Sequence, residues 1–140
     1  MENLADELDH RLTALWHILG RRGKRELSRT AASVLATLRD TGPRRITELA
    51  EREAVAQPTV TTLVGRLERD GFVERRPDPN DARAVLVHLT PQGLARLDEM
   101  RAAREALLQT RLDALTAHER EVLAAALPVL DKLMEEGTGE

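Results

Sequence analysis

The acidic segment DPNDAR, residues 78–83, combines carboxylates and turn-forming residues in a way that invites comparison with a metal-binding loop. A calcium loop of the EF-hand type needs an oxygen ligand at its fifth position, glycine at its sixth and glutamate at its twelfth. Counted from Asp78, these positions hold Ala82, Arg83 and Leu89, which excludes that loop type. The proline and asparagine residues indicate instead a turn that projects the tip of the segment.

Elsewhere in the sequence, no group of residues has the spacing of a catalytic or metal-binding site. The chain has no cysteine, which excludes disulfides, zinc-thiolate sites and thiol redox sensing. The glycines of GRRG lack the spacing and the Lys-Ser/Thr end of a phosphate-binding loop. Metal sensing by the histidines is the weaker alternative to ordinary surface or core positions, because they are scattered as His10, His17, His88 and His118. We therefore expect no enzyme activity, no catalytic residue, no metal and no cofactor.

Composition indicates a globular, mainly helical protein. The 140 residues suffice for one domain with a real core, and the balance of 41% hydrophobic to 32% charged residues is that of a folded soluble chain. Trp16 and Phe72 are its only aromatic residues, so the core must consist of Leu, Val and Ala, of which Leu and Ala favour helix. No apolar run is long enough to span a membrane, and the N-terminus lacks signal-peptide features. A cytoplasmic protein without a membrane partner is expected.

Positive charge is concentrated in the middle of the chain, although the net charge is -3. Residues 21–97 carry fifteen basic against ten acidic side chains, a balance of +5. Residues 1–20 carry one against four, and residues 98–140 carry five against ten. A basic middle between acidic arms is typical of a nucleic-acid-binding lobe attached to a helical body. Chance clustering of surface charge is the alternative.

Two short, closely spaced helices are predicted within the basic segment. Thr47 can cap the first, ITELAERE, and the second starts at Pro58, which a first helical turn tolerates, and ends before Gly71. The apolar residues of the second helix share one stripe, formed by Val60, Leu63, Val64 and Leu67. The opposite arc and its edges carry small, hydroxyl-bearing and basic residues: Pro58, Thr59, Thr61, Thr62, Gly65, Arg66 and Arg69. Such a face can approach another molecule closely, whereas a merely solvated face more often carries Glu and Lys.

Helices and a hairpin surround this pair. Leucines at helical spacing predict a first helix over residues 3–20, and Ser28 caps a second helix that Gly42-Pro43 stops. FVERR and AVLVHL predict two strands joined by a long tip, PDPNDAR. A long helix follows from about residue 90 to 112, and Thr116 caps the last helix. The outer helices carry more leucine than one small body can bury, which favours pairing with a second copy.

The run from residue 46 to 93 resembles the MarR family of bacterial winged-helix regulators. Its specific part is D-x-R followed by L-T-x-x-G, formed here by Asp81, Arg83, Leu89, Thr90 and Gly93. The order of the flanking helices also agrees, so the resemblance covers almost the whole chain. It implies a fold that is mainly α with a small β-hairpin wing. Within a single domain of residues 1–140, it predicts a winged helix-turn-helix lobe at 28–93 and a helical dimerisation region at 1–27 and 94–140.

The resemblance also implies a function: a homodimeric, ligand-responsive repressor that binds a palindromic operator in double-stranded DNA. The second helix of each lobe would enter the major groove and the wing the flanking minor groove. Predicted base contacts come from Gln57, Pro58, Thr59 and Thr62. Predicted phosphate contacts come from Thr47, Thr61, Arg66, Arg69, Arg75 and Arg76, although some of these arginines can instead pair with Glu68, Asp70 or Glu74. Arg83 is expected in the minor groove, with Asp81 as its orienting partner.

A small amphipathic or phenolic acid is the effector class that the resemblance implies. Trp16, His17 and Arg39 are the candidate ligand-pocket residues, with a place in the dimer core as the alternative for Trp16. The chain departs from the common family pattern at four positions, Ala54, Ala56, Thr62 and Ala82. Those changes remove a turn glycine, a helix cap and two frequent cations, which predicts weaker binding and a shallower salt dependence. A winged-helix module for protein interaction, without its own operator, is the competing function.

Overall fold

A computed structural model describes residues 3–20 and 27–135. In chain order the elements are α1 (Leu4–Gly20), α2 (Arg29–Thr41), β1 (Arg44–Arg45), α3 (Ile46–Glu53), α4 (Gln57–Arg69), β2 (Val73–Asp78), β3 (Asp81–Leu89), α5 (Pro91–Asp113) and α6 (Ala117–Met134). The predicted fold class, mainly α with a small β wing, is confirmed. No described helix is long and apolar enough to cross a membrane. The chain divides into two compact units between Ala103 and Arg104.

Local hydrogen bonds set the helix ends where the sequence predicts them. The hydroxyl of Ser28 accepts a backbone N–H of the first turn of α2 at 3.1 Å. Gly42 and Gly71, both at φ 81, follow the ends of α2 and α4, a conformation that favours glycine. At the start of α6, Thr116 Oγ1 accepts the Glu119 N–H at 3.1 Å and Glu119 Oε1 accepts the Thr116 N–H at 2.9 Å. Hydrogen bonds to the Glu119 carboxylate from the backbone and the side chain of Thr116 lower the pKa of Glu119.

The predicted cap of α3 is wrong. The helix begins at Ile46, so Thr47 lies inside its first turn and Arg45 occupies the N-cap position. The Arg45 N–H donates to Glu48 Oε1 at 3.2 Å, which satisfies one backbone donor that the helix leaves free. The reason for the shift is that Arg45 is still extended and paired with Leu86, so helical geometry starts only after it.

The sheet has three antiparallel strands in the order β1-β3-β2, not the two that the sequence predicts. The additional strand β1 consists of Arg44 and Arg45, paired with Val87 and Leu86. Two residues carry no alternation that would identify a strand, and only their pairing with β3 defines them as one.

The prediction of a long hairpin tip is also wrong. Strand β2 continues to Asp78 and β3 starts at Asp81, which leaves only Pro79 and Asn80 in the turn. Asp78 Oδ1 accepts the Asn80 N–H at 2.9 Å, a local bond that closes the turn. The register shifts just before it, since Pro77 pairs with Val85 whereas Asp78 pairs with Asp81. The irregularity bends the tip of the wing.

The core of the first unit holds the helix-turn-helix and the wing together. Its buried side chains come from α2, α3, α4, β2, β3 and α5: Ala31, Val34, Leu35, Leu38, Leu49, Ala50, Val60, Val64, Leu67, Val73, Val87 and Leu97. All are aliphatic, as the composition predicts. Because α4 contributes Val60, Val64 and Leu67 to this core, its opposite arc must face outward.

The L-T-x-x-G part of the family pattern joins three elements at the root of the wing. The Thr90 hydroxyl donates to the Gly71 carbonyl oxygen at 2.6 Å and accepts the Gly93 N–H at 3.0 Å. The Thr90 N–H donates to the Phe72 carbonyl oxygen at 3.1 Å. A β carbon at Gly93 would overlap that same oxygen, so only glycine allows α5 to pass so close to β2. The motif therefore fixes where the wing leaves the helices.

Candidate nucleic-acid interface

The turn between α3 and α4 sets the position of the predicted recognition helix. Ala54 adopts the left-handed conformation at φ 54, where the family commonly has glycine. An alanine in this conformation costs about 1 kcal/mol relative to glycine. The turn nevertheless closes, because the Val55 N–H donates to the Ala50 carbonyl oxygen at 3.1 Å. Ala56 precedes α4 without a side-chain cap, as its residue type requires.

The four predicted base-contact residues lie together on the exposed first turns of α4. Gln57, Pro58, Thr59 and Thr62 are all exposed. The Thr62 hydroxyl donates to the Pro58 carbonyl oxygen at 3.1 Å, and the Thr61 hydroxyl donates to that of Gln57 at 3.0 Å. Each of these hydroxyls keeps lone pairs that can accept a bond from a base or from water. The first two turns of α4 thus present a polar surface and carry no acidic side chain.

The predicted phosphate-contact arginines fall into two groups. Arg66 and Arg69 are exposed, and neither forms an ion pair with another residue that the structure describes. Arg75 instead approaches Glu68, with Nε 3.7 Å from Oε1, and Arg76 pairs with Glu74. The internal ion pairs expected for some arginines thus involve the two on β2. Thr47 and Thr61 are both exposed.

Arg83 is exposed near the tip of the wing. Asp81 contacts the backbone of this residue: Asp81 Oδ1 accepts the Arg83 N–H at 3.0 Å. Within the described residues, no carboxylate forms an ion pair with the Arg83 guanidinium. Asp81 therefore fixes the chain from which the arginine extends and leaves its cationic end available.

Asp78 makes a contact that the sequence did not indicate. Its Oδ2 accepts bonds from Arg45 Nε at 3.2 Å and Nη2 at 2.8 Å, across 33 positions of sequence. The Asn80 N–H and the Arg45 guanidinium lower the pKa of Asp78, so it is ionised at neutral pH. No local pattern predicts this pair, because β1, which places Arg45 there, was not predicted either.

The carboxylates of DPNDAR are engaged with nitrogen donors, not arranged around a cavity for an ion. Asp78 bonds to Arg45 and to the Asn80 N–H, and Asp81 bonds to the Arg83 N–H. Across residues 3–20 and 27–135, no three His, Asp or Glu side chains are grouped as metal ligands. The segment functions as the turn and tip of a wing.

A cavity of about 1270 Å³ opens beside α4 within the first unit. Its apolar lining consists of Leu27, Ala31, Leu63, Leu67 and Phe72, and its polar lining of Ser28, Thr59, Thr62, Arg66, Asp70, Arg96 and Glu99. The predicted pocket residues Trp16, His17 and Arg39 are not among them. Trp16 lies against Arg29, whose guanidinium carbon is 5.9 Å from the ring centroid, and Arg39 pairs with Asp40 at 2.8 Å.

Comparisons with known proteins agree with this geometry. The MarR family model matches residues 27–85. An HTH-type transcriptional regulator of Mycobacterium bovis is 36% identical over 110 residues, which cover 79% of this chain and 77% of that protein. The HTH-type transcriptional repressor NicR of Pseudomonas putida is 38% identical over 101 residues, covering 72% of this chain and 62% of NicR.

A solved structure of BpsR from Bordetella bronchiseptica, whose DNA binding is regulated by 6-hydroxynicotinic acid, is also similar. It is 27% identical, superposes with a TM-score of 0.61, and the match covers 93% of this chain and 94% of BpsR. Sequence, fold and the exposed arc of α4 thus lead to one conclusion. The chain belongs to the MarR family of winged helix-turn-helix transcriptional regulators.

Proposed function

We propose that this regulator is a homodimeric repressor that binds a palindromic DNA operator and releases it when a small amphipathic acid binds. The observation that carries the proposal is the division of α4 into two faces. Val60, Val64 and Leu67 fix one face in the core, while the exposed arc presents a glutamine, threonines and arginines that form no ion pair with another described residue. This is the arrangement with which a helix enters a major groove. The similarity to NicR, which is a repressor, supports repression and not activation as the effect on transcription.

The proposed contacts divide by chemistry. Gln57 can bond both N6 and N7 of an adenine, and a threonine can touch a thymine methyl. Arg66 and Arg69 provide phosphate contacts, which fix orientation and make affinity depend on salt. Thr47, Thr61, Arg75 and Arg76 complete the phosphate set, with the two β2 arginines exchanging their carboxylate partners for phosphate. Arg83 extends from the wing into the minor groove.

A second copy of the chain is the proposed cover for the apolar side chains of the terminal helices. None of the residues of α6 is buried, and six large apolar side chains are exposed on it: Val122, Leu123, Leu127, Val129, Leu133 and Met134. Helix α1 likewise exposes Leu4, Leu12, Leu15, Trp16 and Ile18. Stripes of this length are rare on monomers. Residues 1–27 and 94–140 are the proposed dimerisation region, and 28–93 the DNA-binding lobe.

Selection of bound duplexes from random sequence tests the central claim. We expect a two-fold symmetric site whose half-sites are separated by about 10 base pairs, because a symmetric dimer presents two equivalent α4 helices. In a titration against salt, the selected duplex should stay bound at salt concentrations that release a scrambled one. A protein-interaction module without an operator predicts no such preference, so equal affinity for both duplexes would contradict the proposal.

The cavity beside α4 is the proposed effector site. Five apolar side chains line one part of it. Of the two carboxylates in its polar lining, that of Glu99 pairs with Arg96 at 3.5 Å, and Arg66 forms no ion pair with a described carboxylate. This combination suits an aromatic ring that carries a carboxylate. Thr59, Thr62 and Arg66 line the cavity and also belong to the proposed DNA interface. A ligand that engages them therefore favours the DNA-free protein, as linkage requires.

Three small probes test the effector class: 6-hydroxynicotinic acid, benzoate and neutral phenol. We expect the two acids to weaken binding of the selected operator about tenfold at saturation and phenol to have little effect. Leu63→Phe, which fills part of the cavity from the half-buried side of α4, should reduce the response to the acids without abolishing operator binding. Operator affinity that none of the three probes changes would contradict this class of effector while leaving the DNA-binding function intact.

A further inference from the structure

Asp78 is buried at a place where burial of a carboxylate is unexpected. It is 7% exposed, although it adjoins the two-residue turn of the wing and its neighbours Pro77 and Pro79 are exposed. Thr37 is the only other polar residue among the described positions that is buried to this degree. A carboxylate is buried without large cost only when donors surround it. The hydrogen-bond donors around Asp78 therefore indicate the role of this side chain.

Both oxygens of Asp78 are bonded. Oδ1 accepts the Asn80 N–H at 2.9 Å, and Oδ2 accepts Arg45 Nη2 at 2.8 Å and Nε at 3.2 Å. The first bond closes the turn of the wing. The second reaches a different element, which a turn does not need for its own closure.

Arg45 stands where the helix-turn-helix meets the sheet. It pairs with Leu86 of β3, and it is the residue that immediately precedes α3. Its N–H is bonded to Glu48 in the first turn of that helix. The side-chain contact with Asp78 therefore joins the start of the helix-turn-helix to the tip of the wing.

Asp78 is also linked to the wing arginine, Arg83. Asp78 and Asp81 are backbone partners of β2 and β3 across the turn, and Asp81 Oδ1 accepts the Arg83 N–H at 3.0 Å. We propose that Arg45 and Asp78 are positioning residues that fix Arg83 relative to α4, so that the wing and the recognition helix engage DNA together. The proposal rests on the DNA-binding function argued above and adds to it a pair of residues that need not touch DNA.

The direction in which one substitution changes operator affinity distinguishes a positioning role from a simple effect of charge. Asp78→Asn removes a negative charge from the DNA-binding lobe, and a less negative lobe should bind DNA more tightly. If the pair positions Arg83, the same substitution should weaken operator binding, because the neutral amide holds the guanidinium less strongly. The two explanations thus predict opposite changes in affinity.

The experiment measures operator affinity for wild type, Asp78→Asn, Arg83→Ala and the double variant, each checked for thermal unfolding and dimer mass. We expect Asp78→Asn and Arg83→Ala each to weaken binding by roughly threefold to tenfold. In the Arg83→Ala background, Asp78→Asn should change affinity by less than about twofold, because the residue that it positions is gone. Additive losses, or tighter binding by Asp78→Asn, would overturn the proposal.

Arg45→Gln and Arg44→Gln form a matched pair that serves if Asp78→Asn fails to fold. Both remove one cation from β1, but Arg44 pairs with exposed Glu48 at 3.4 Å and does not reach the wing tip. Arg45→Gln should weaken operator binding several-fold more than Arg44→Gln, and only Arg45→Gln should lose footprint protection in the flanking minor groove. Equal effects would refute the positioning role. A wild-type protein without preference for its selected duplex would instead refute the proposed function.

Discussion

Replacing Leu123 with glutamate is expected to split the proposed homodimer and to lower operator affinity by more than about a hundredfold. The side chain is 48% exposed on α6 in the single chain, so a carboxylate there should not unfold the protein. In a dimer it would be buried without a partner, at a cost of several kcal/mol. A single lobe then binds one half-site alone, and each lost 1.4 kcal/mol reduces affinity about tenfold. Sedimentation equilibrium and a gel-shift titration measure the two effects.

Ala124→Glu is the matched control for this variant. Ala124 is exposed on the same helix but lies outside the arc that carries Val122, Leu123 and Leu133. The same charge at this position should leave the dimer and the operator affinity unchanged. If Leu123→Glu remains dimeric, the apolar face of α6 is not the interface. If both variants dissociate, the cause is added charge on α6 and not the loss of apolar packing.

The parts of this fold that the sequence predicts are those fixed by neighbours in the chain. Ser28 and Thr116 mark helix starts because their hydroxyls bond backbone groups within one turn. Gly71 marks a helix end because glycine adopts the positive φ of this position without the steric cost that other residues meet. The buried face of α4 follows from helical periodicity, and its outward arc follows from the buried face.

The parts that it does not predict depend on residues far apart in the chain. Strand β1 exists only through pairing with Val87 and Leu86, and two arginines carry no strand signal of their own. The tip of the wing is short because Asp78 pairs with Asp81, where composition alone favoured an open loop. The Arg45–Asp78 ion pair needs both features at once, so it could not be foreseen from either segment.

For the candidate DNA interface, periodicity located the surface and left the role of each side chain open. Arg66, Arg69, Arg75 and Arg76 look alike in sequence. Distances separate them, because two face Glu68 and Glu74 while the other two form no ion pair with a described residue. Asp81 likewise proved to bond a backbone N–H and not a guanidinium. Which side chain contacts which base is determined only in the complex with DNA. Substitution of a single base-contact residue tests one such contact.

Gln57→Ala is expected to remove sequence preference at one base pair of each half-site. The glutamine is the first residue of α4 and exposed, and no hydrogen bond within the described residues engages its side-chain amide. A bidentate contact with adenine contributes about 1–3 kcal/mol of discrimination, or roughly 5- to 150-fold in affinity. Affinity for scrambled DNA should not change, because the amide carries no charge and contributes little to phosphate attraction.

Repeating the duplex selection with Gln57→Ala measures this directly, since one symmetric pair of positions should become degenerate while the rest of the site is retained. Gln92→Ala is the control, because it makes the same change at an exposed residue of α5, whose side chain lies beside Gly71 at the opposite end of α4 from Gln57. An unchanged selected site would remove Gln57 from the base-contact set. Equal weakening on operator and scrambled duplexes would show that it acts on the backbone or on the stability of α4, and would shift base recognition to Thr59 and Thr62.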